Sequence, residues 1–337
     1  MKILFLLKKR GYGDYGYSTN GSSYGLINSS LQLIYFLEKE GFECKVETVN
    51  DGNDIDKEVY NYKPNIVIIE ALWVSAEKMK ELIELTRYKN IKWIIRIHSD
   101  IGFLSSETFA TKYINDYISL HKKNLIIGIN NKNFMENYGH VLNYKFVYLP
   151  NVIKTNEKNI EYENIKNEYI NIGCFGALRI LKNQCFQAIC AIKAADILNK
   201  KLKFYITLDT KNSIYFNLKE IFKNSKHELI VYDWQTHDEF QKLIQKMDLG
   251  LQLSFTESFN IVAADFVNNN KLILVGDSIT WMPNILKTST INYNHVINKI
   301  VFIYIFRNLK ILKLYAKYKL NKYNNKAKKE WLKFLSK

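Results

Sequence analysis

The sequence predicts an α/β protein of two parallel-sheet halves, and three observations carry that prediction. Short β-branched apolar runs alternate with segments of helical period. The alternation stops near residue 150 and then restarts. A chain of 337 residues, 47% apolar with three prolines, is long enough to bury two separate cores and has the composition of a folded protein.

In the first half the strand-like runs are "KILFLL", "CKVETV", "NIVIIEA", "KWIIRI", "NLIIGI" and "KFVYLP", separated by helical segments such as "SSLQLIYFLEKEG" and "AEKMKELIELTRY". This gives a domain over residues 1–152. Residues 154–168, "KTNEKNIEYENIKNE", lack glycine and a sustained apolar face, so 153–168 reads as a linker. The rhythm resumes over 169–292 with "YINIGCFGA", "KLKFYITL", "HELIVYDW", "DLGLQLSF" and "KLILVGD". Strands separated by helices in this way form parallel sheets with helices on both faces, and a cleft between two such domains is the expected ligand site. Residues 293–337 read as basic C-terminal helices. Ile297, Ile300, Val301, Tyr304, Ile311, Leu312 and Tyr315 keep one face, and 300–306, apolar all round, is expected to be buried.

Charge is unevenly spread. The formal net charge is +15, and residues 299–337 hold twelve Lys and Arg against the single acid Glu330. Such a stretch fits a polyanion, either DNA or an anionic membrane surface, and equally an ordinary solvated helix face. The first apolar run precedes "KKR" instead of following it, the reverse of a signal peptide, so the expected location is cytoplasmic. Cys44, Cys174, Cys185 and Cys190 form no C-x-x-C pair and stand at no metal-ligand spacing, so reduced thiols are expected, with no metal and no cofactor.

The opening loop, "RGYGDYGYSTNGSSYG", contains Gly11, Gly13 and Gly16 in a G-x-G-x-x-G pattern. A dinucleotide turn enters its helix almost at once, whereas here the helical period begins only near Ser22. The loop therefore reads as a glycine and tyrosine segment facing a ligand. In "NIGCFGALRILKNQ", Gly173 and Gly176 follow a strand, and Arg179 and Lys182 stand at the start of a helix, a combination suited to a diphosphate. In "LQLSFTESFNIVAADF", Glu257 lies in the turn before an apolar helix, with Asp265 eight residues on. Carboxylates accept hydrogen bonds from sugar hydroxyls, and the amides of Ser258, Phe259 and Asn260 suit phosphate or sugar oxygens. "IIRIHSD" ends a strand at His98, and Asn151 marks the hinge without a chemical role. "DID" at 54–56 starts a helix, where capping explains its acids better than metal binding.

Together, "GCFGALRILKN" and "ESFNIVAAD" resemble the family 4 glycosyltransferases of the GT-B fold, whose second domain carries a glycine-rich strand end, Arg and Lys, then E-x7-E. Asp265 stands here where the family has its second glutamate. "DLGLQLSFTESFNIVAADFV" looks most like a group encoded by large tailed phages and some bacteria. The resemblance implies two Rossmann-like domains facing a cleft and metal-independent transfer of a hexosyl or pentosyl group, with retention, from a nucleoside diphosphate sugar. It gives Arg179 and Lys182 the donor diphosphate, Glu257 the donor sugar, Asp265 the nucleotide ribose and His98 a contact to the sugar. The favoured acceptor is a hydroxymethylated base in phage DNA. The alternatives are a lipid-linked or cell-surface glycan and a non-catalytic nucleotide-sugar or nucleic-acid binding protein.

Overall fold

The computed structural model describes residues 1–9, 24–155, 168–209 and 212–336. These fall into two compact units: residues 1–154 with 324–337, and residues 155–323.

The first unit holds a six-stranded parallel sheet in the order β2-β1-β3-β4-β5-β6. Its strands are β1 (Lys2–Lys8), β2 (Glu43–Val49), β3 (Ile66–Glu70), β4 (Lys92–Ile97), β5 (Leu125–Ile129) and β6 (Val147–Tyr148). Its helices are α1 (Tyr24–Lys39), α2 (Asp54–Tyr62), α3 (Ala76–Glu84), α4 (Ile101–Leu104), α5 (Ala110–Ser119) and α6 (Lys132–Leu142). Ile66, Val67, Ile68 and Ile69 of β3 are all buried, as a parallel strand covered on both faces requires. Every strand-like run of the first half forms a strand, although "KFVYLP" contributes only two residues.

Helix α2 begins at Asp54, but neither acid of "DID" acts as its side-chain cap. Asp54 accepts from the Asn50 backbone N–H (2.9 Å), and Asp56 takes the Arg87 guanidinium (2.7 Å) and the Tyr88 hydroxyl (2.6 Å). Turn closure and an ion pair, in place of the expected capping, account for both carboxylates.

The second unit repeats the architecture in the order β12-β11-β10-β7-β8-β9, again parallel throughout. Its strands are β7 (Tyr169–Cys174), β8 (Lys201–Thr207), β9 (Glu228–Tyr232), β10 (Leu249–Gln252), β11 (Ile273–Gly276) and β12 (Lys287–Thr288). Its helices are α7 (Gln184–Ile197), α8 (Ser213–Lys223), α9 (His237–Gln245), α10 (Ile261–Asn268) and α11 (Tyr293–Ile305).

The last helix, α12 (Lys310–Leu335), is shared: residues up to Tyr323 belong to the second unit and those from Asn324 to the first. In the first unit its inner residues lock onto residues 150–153. Asn324 accepts from the Ile153 N–H (2.9 Å) and donates to its carbonyl (2.7 Å), while the Trp331 indole donates to the Pro150 carbonyl (2.8 Å). Two expectations for this region are overturned. Residues 300–306 are not buried all round, since Phe302, Ile305 and Phe306 are 37%, 57% and 38% exposed. Ile311 and Tyr315 do not continue the buried face of α11, because the helix breaks after Ile305 and restarts at Lys310 on a new phase.

Candidate functional site

Ligands of open parallel sheets bind beyond the carboxyl ends of the strands where the strand order reverses. In the second sheet that point lies between β7 and β10. The loops leaving it, residues 175–183 and 253–260, carry the motifs singled out in the sequence.

Gly176 has a φ of +109°, a conformation L side chains resist, and a Cβ added there meets nothing within 4 Å. Its N–H donates to the Thr207 hydroxyl (3.2 Å). Arg179 is extended, Ile180–Lys182 form one 3-10 turn, and Asn183 takes a left-handed φ of 59° before α7 starts at Gln184. The two cations therefore stand just ahead of the helix. Asn183 breaks the run, and its amide holds the break by donating to the Thr290 carbonyl (2.7 Å).

Lys182 Nζ pairs with Glu257 Oε1, joining the two loops. The pair is 23% and 12% exposed, so it is partly desolvated yet open to solvent on one side. Backbone and amide contacts fix its frame. Phe255 N–H donates to the Leu181 carbonyl (2.9 Å), Gln187 donates to the Lys182 carbonyl (2.7 Å), and Leu253 N–H donates back to Gln187 (3.0 Å). Gln252 donates to the Phe175 carbonyl (2.8 Å) and accepts from Asn260 (2.8 Å). Asn260 caps α10 by accepting from Ala263 N–H (2.8 Å), which commits its side chain. Phe259 is buried against Trp281 and Tyr323, leaving only its backbone for a ligand, and Ser258 lies half-buried beside it.

Asp265 is not gathered with the Lys182–Glu257 pair by any hydrogen bond among the described contacts. It is 4% exposed on α10 and accepts from Gln241 of α9 (3.0 Å). Burial, only partly opposed by that hydrogen bond, pushes its carboxyl up to about 7. Burial likewise pushes the thiols of Cys174 and Cys190 up to about 12, which makes them poor nucleophiles.

In the first sheet the strand order reverses between β1 and β3. The loop after β1, with Gly11 and Gly13, lies outside the described residues. Strand β3 ends at Glu70, which stands opposite Arg96 in the β3–β4 register. Both are fully buried, with Arg96 Nη1 3.0 Å from Glu70 Oε1. The guanidinium also donates to the Leu149 carbonyl (3.1 Å), the Pro150 carbonyl (3.1 Å) and Asn151 Oδ1 (2.8 Å), and lies 5.3 Å from the centre of the Trp331 ring. The Ser30 hydroxyl donates to Glu70 Oε1 (3.1 Å), while Glu70 Oε2 meets His98 Nε2.

Burial opposes the Glu70 charge, but Arg96 and then His98 outweigh it and hold the carboxyl at about 2. Burial, reinforced by Arg96 and resisted by Glu70, lowers His98, so its ring is neutral near pH 7. A neutral ring facing an ionised carboxylate donates from Nε2, which leaves Nδ1 as the acceptor nitrogen. The sequence reading found His98 but missed Glu70, Arg96, Ser30 and Trp331. The legible signal was a charge closing one apolar strand, Glu70 of "IVIIE", and a charge inside another, Arg96 of "KWIIRI". Among the described residues no three His, Cys, Asp or Glu side chains group as a metal site, and no helix is long and apolar enough to cross a membrane.

Two six-stranded parallel sheets with flanking helices define the GT-B fold, and solved structures of that class match along nearly the whole chain. Sucrose-phosphate synthase from Thermosynechococcus elongatus matches with a TM-score of 0.68 at 12% identity, over 100% of this chain and 98% of that one. Anabaena HepE, solved in complex with UDP and glucose, matches with a TM-score of 0.66 at 14% identity, over 100% and 99%. A glycosyltransferase from Rickettsia africae matches with a TM-score of 0.64 at 15% identity, over 99% and 97%. No protein-family model and no curated protein matches the sequence.

Proposed function

We propose that the protein is a glycosyltransferase that takes a nucleoside diphosphate sugar and transfers its sugar with retention. The observation that carries this reading is the Lys182–Glu257 pair at the β7/β10 switch point. A half-desolvated ion pair holds a cation and a carboxylate ready without leaving either unpaired. An incoming diphosphate draws the ammonium, with Arg179 alongside, and releases Glu257 to accept hydrogen bonds from sugar hydroxyls. As the bond to the anomeric carbon breaks, negative charge collects on the departing diphosphate, and fixed cations there stabilise the transition state more than the ground state. Gly176 leaves room for close approach to the backbone.

Asp265 is assigned to the nucleotide ribose, and His98 to a contact with the transferred sugar, through the family pattern alone. HepE, crystallised with UDP and glucose, supports the donor class. The acceptor favoured on sequence, a hydroxymethylated DNA base, rests on the phage-like motif, the basic C-terminal stretch and the tyrosine-rich opening loop.

The test is incubation with a panel of nucleoside diphosphate sugars, with and without hydroxymethylcytosine DNA, following nucleotide release and DNA mass. Release of nucleotide from one donor is expected. The double change Arg179→Ala, Lys182→Ala should reduce that turnover by about 10²-fold or more with the fold intact. Full turnover in the double variant removes the donor site. A DNA mass that never rises removes the DNA acceptor.

A further inference from the structure

The elbow between α11 and α12, in the second unit, presents an apolar surface to solvent. Ile311, Leu314, Tyr315 and Tyr318 recur at i, i+3, i+4 and i+7, the spacing of a buried helix stripe, yet they are 71%, 64%, 43% and 58% exposed. The inward stripe of the same segment is occupied separately by Leu312, Ala316 and Leu320, so α12 carries two apolar faces of which one packs. On the α11 side, Ile305, Phe306 and Leu309 extend the exposed apolar surface through the helix break. Solitary exposed apolar residues are ordinary, whereas this many within a few turns of chain mark an interaction surface.

The surroundings decide the partner. No Asp or Glu occurs between Asp277 and Glu330, while Lys299, Arg307, Lys310, Lys317, Lys319 and Lys322 fall in or beside the elbow. Arg307 takes Asp248 (3.4 Å), and Lys271 stands within electrostatic reach of that carboxylate, of Arg307 and of Lys313, so cations outnumber anions even where a carboxylate is present. A second copy of this surface would bring like charges together. A nucleic acid would answer the lysines but offers no hydrocarbon for Ile311, Leu314 and Ile305.

We infer that the α11–α12 elbow docks on an anionic lipid surface, with its aliphatic and aromatic side chains inserted at the headgroup boundary and its lysines on lipid phosphates. Aliphatic insertion supplies the apolar burial, tyrosines suit the interface, and flanking lysines make attachment depend on anionic lipid. This docking goes beyond the donor reading and is measured without turnover, so the two fail separately.

The test is flotation of the full chain with phosphatidylcholine vesicles and with vesicles of about one-third phosphatidylglycerol. The protein should float with the anionic vesicles and remain behind with the neutral ones. Ile311→Ser with Leu314→Ser should cut the bound fraction at least about tenfold, with an unchanged melting midpoint because both side chains face solvent. Lys310→Glu with Lys322→Glu should release the protein at lower salt. The inference is overturned if the wild type stays behind with both vesicles, if the serine variant floats as well as the wild type, or if duplex DNA captures the chain where vesicles do not.

Discussion

At the scale of single residues, three buried acid–base groups respond to pH in opposite senses. Glu70 and His98 both titrate below their ordinary values in the folded chain, so the unfolded chain binds more protons at mildly acid pH. Their contribution to stability is present above the unfolded values and is lost as pH falls, from about 6.5 for His98 and then toward about 2 for Glu70. Asp265 runs the other way. Its raised value of about 7 means that its contribution is present below the ordinary carboxylate range and is lost as pH rises through about 7. Asp265→Asn keeps the oxygen that accepts from Gln241 and removes the ionisation. Thermal melts should show the variant more stable than the wild type at pH 8, by an amount on the order of 1–4 kcal/mol, and nearly equal to it at pH 4. An equal difference at both pH values would mean that Asp265 titrates alike in the folded and the unfolded chain.

The same scale shows what the sequence disclosed of the site and what it withheld. Lys182 and Glu257 are 75 positions apart, and their motif was visible, but their pairing follows from the adjacency of β7 and β10, which no local pattern encodes. Glu70 and Arg96 are charges in otherwise apolar strands that the sequence reading passed over, and only the β3–β4 register sets them opposite one another. Asn260 and Phe259 were read as ligand-facing because capping and core packing compete for the same loop positions.

At the scale of elements, long β-branched runs announced their strands, since burial on both faces leaves no alternative for them. Short elements were not legible: the two residues of β12 pair with β11 through tertiary context alone. Helix α12 was read from its period, but the period could not say which apolar stripe packs, because both Leu312, Ala316, Leu320 and Ile311, Leu314, Tyr318 obey it. Its later turns matter for stability. Trp331 is fully buried, covers the Arg96 guanidinium and donates to Pro150, so Trp331→Ala removes packing, a cation–π contact and a hydrogen bond together. A loss of about 3–5 kcal/mol is expected, read as a lower urea midpoint. Trp331→Phe, which keeps the ring and loses the donor, should cost markedly less. Equal losses would place the energy in the hydrogen bond alone.

At the scale of the whole molecule, two units with separate sheets and separate cores predict separable thermal transitions. If residues 175–183 and 253–260 hold the donor nucleotide as proposed, it stabilises only the second unit. UDP at a hundredfold excess over its Kd should add about 2.7 kcal/mol to one transition and leave the other in place. The change Arg179→Ala, Lys182→Ala should abolish that shift. A nucleotide that moves both transitions equally, or that still acts on the double variant, would place its site elsewhere.

The division of α12 also has a consequence for synthesis. Residues 1–154 emerge from the ribosome early, but the first unit is completed only by residues 324–335, which follow the whole of the second. Until they arrive, Ile153 lacks both its hydrogen bonds with Asn324, and the Arg96 guanidinium lacks its indole cover. The nascent chain must therefore carry an unfinished first unit while the second folds, with the seam around residues 149–153 open to chaperones and proteases until residues 324–335 emerge.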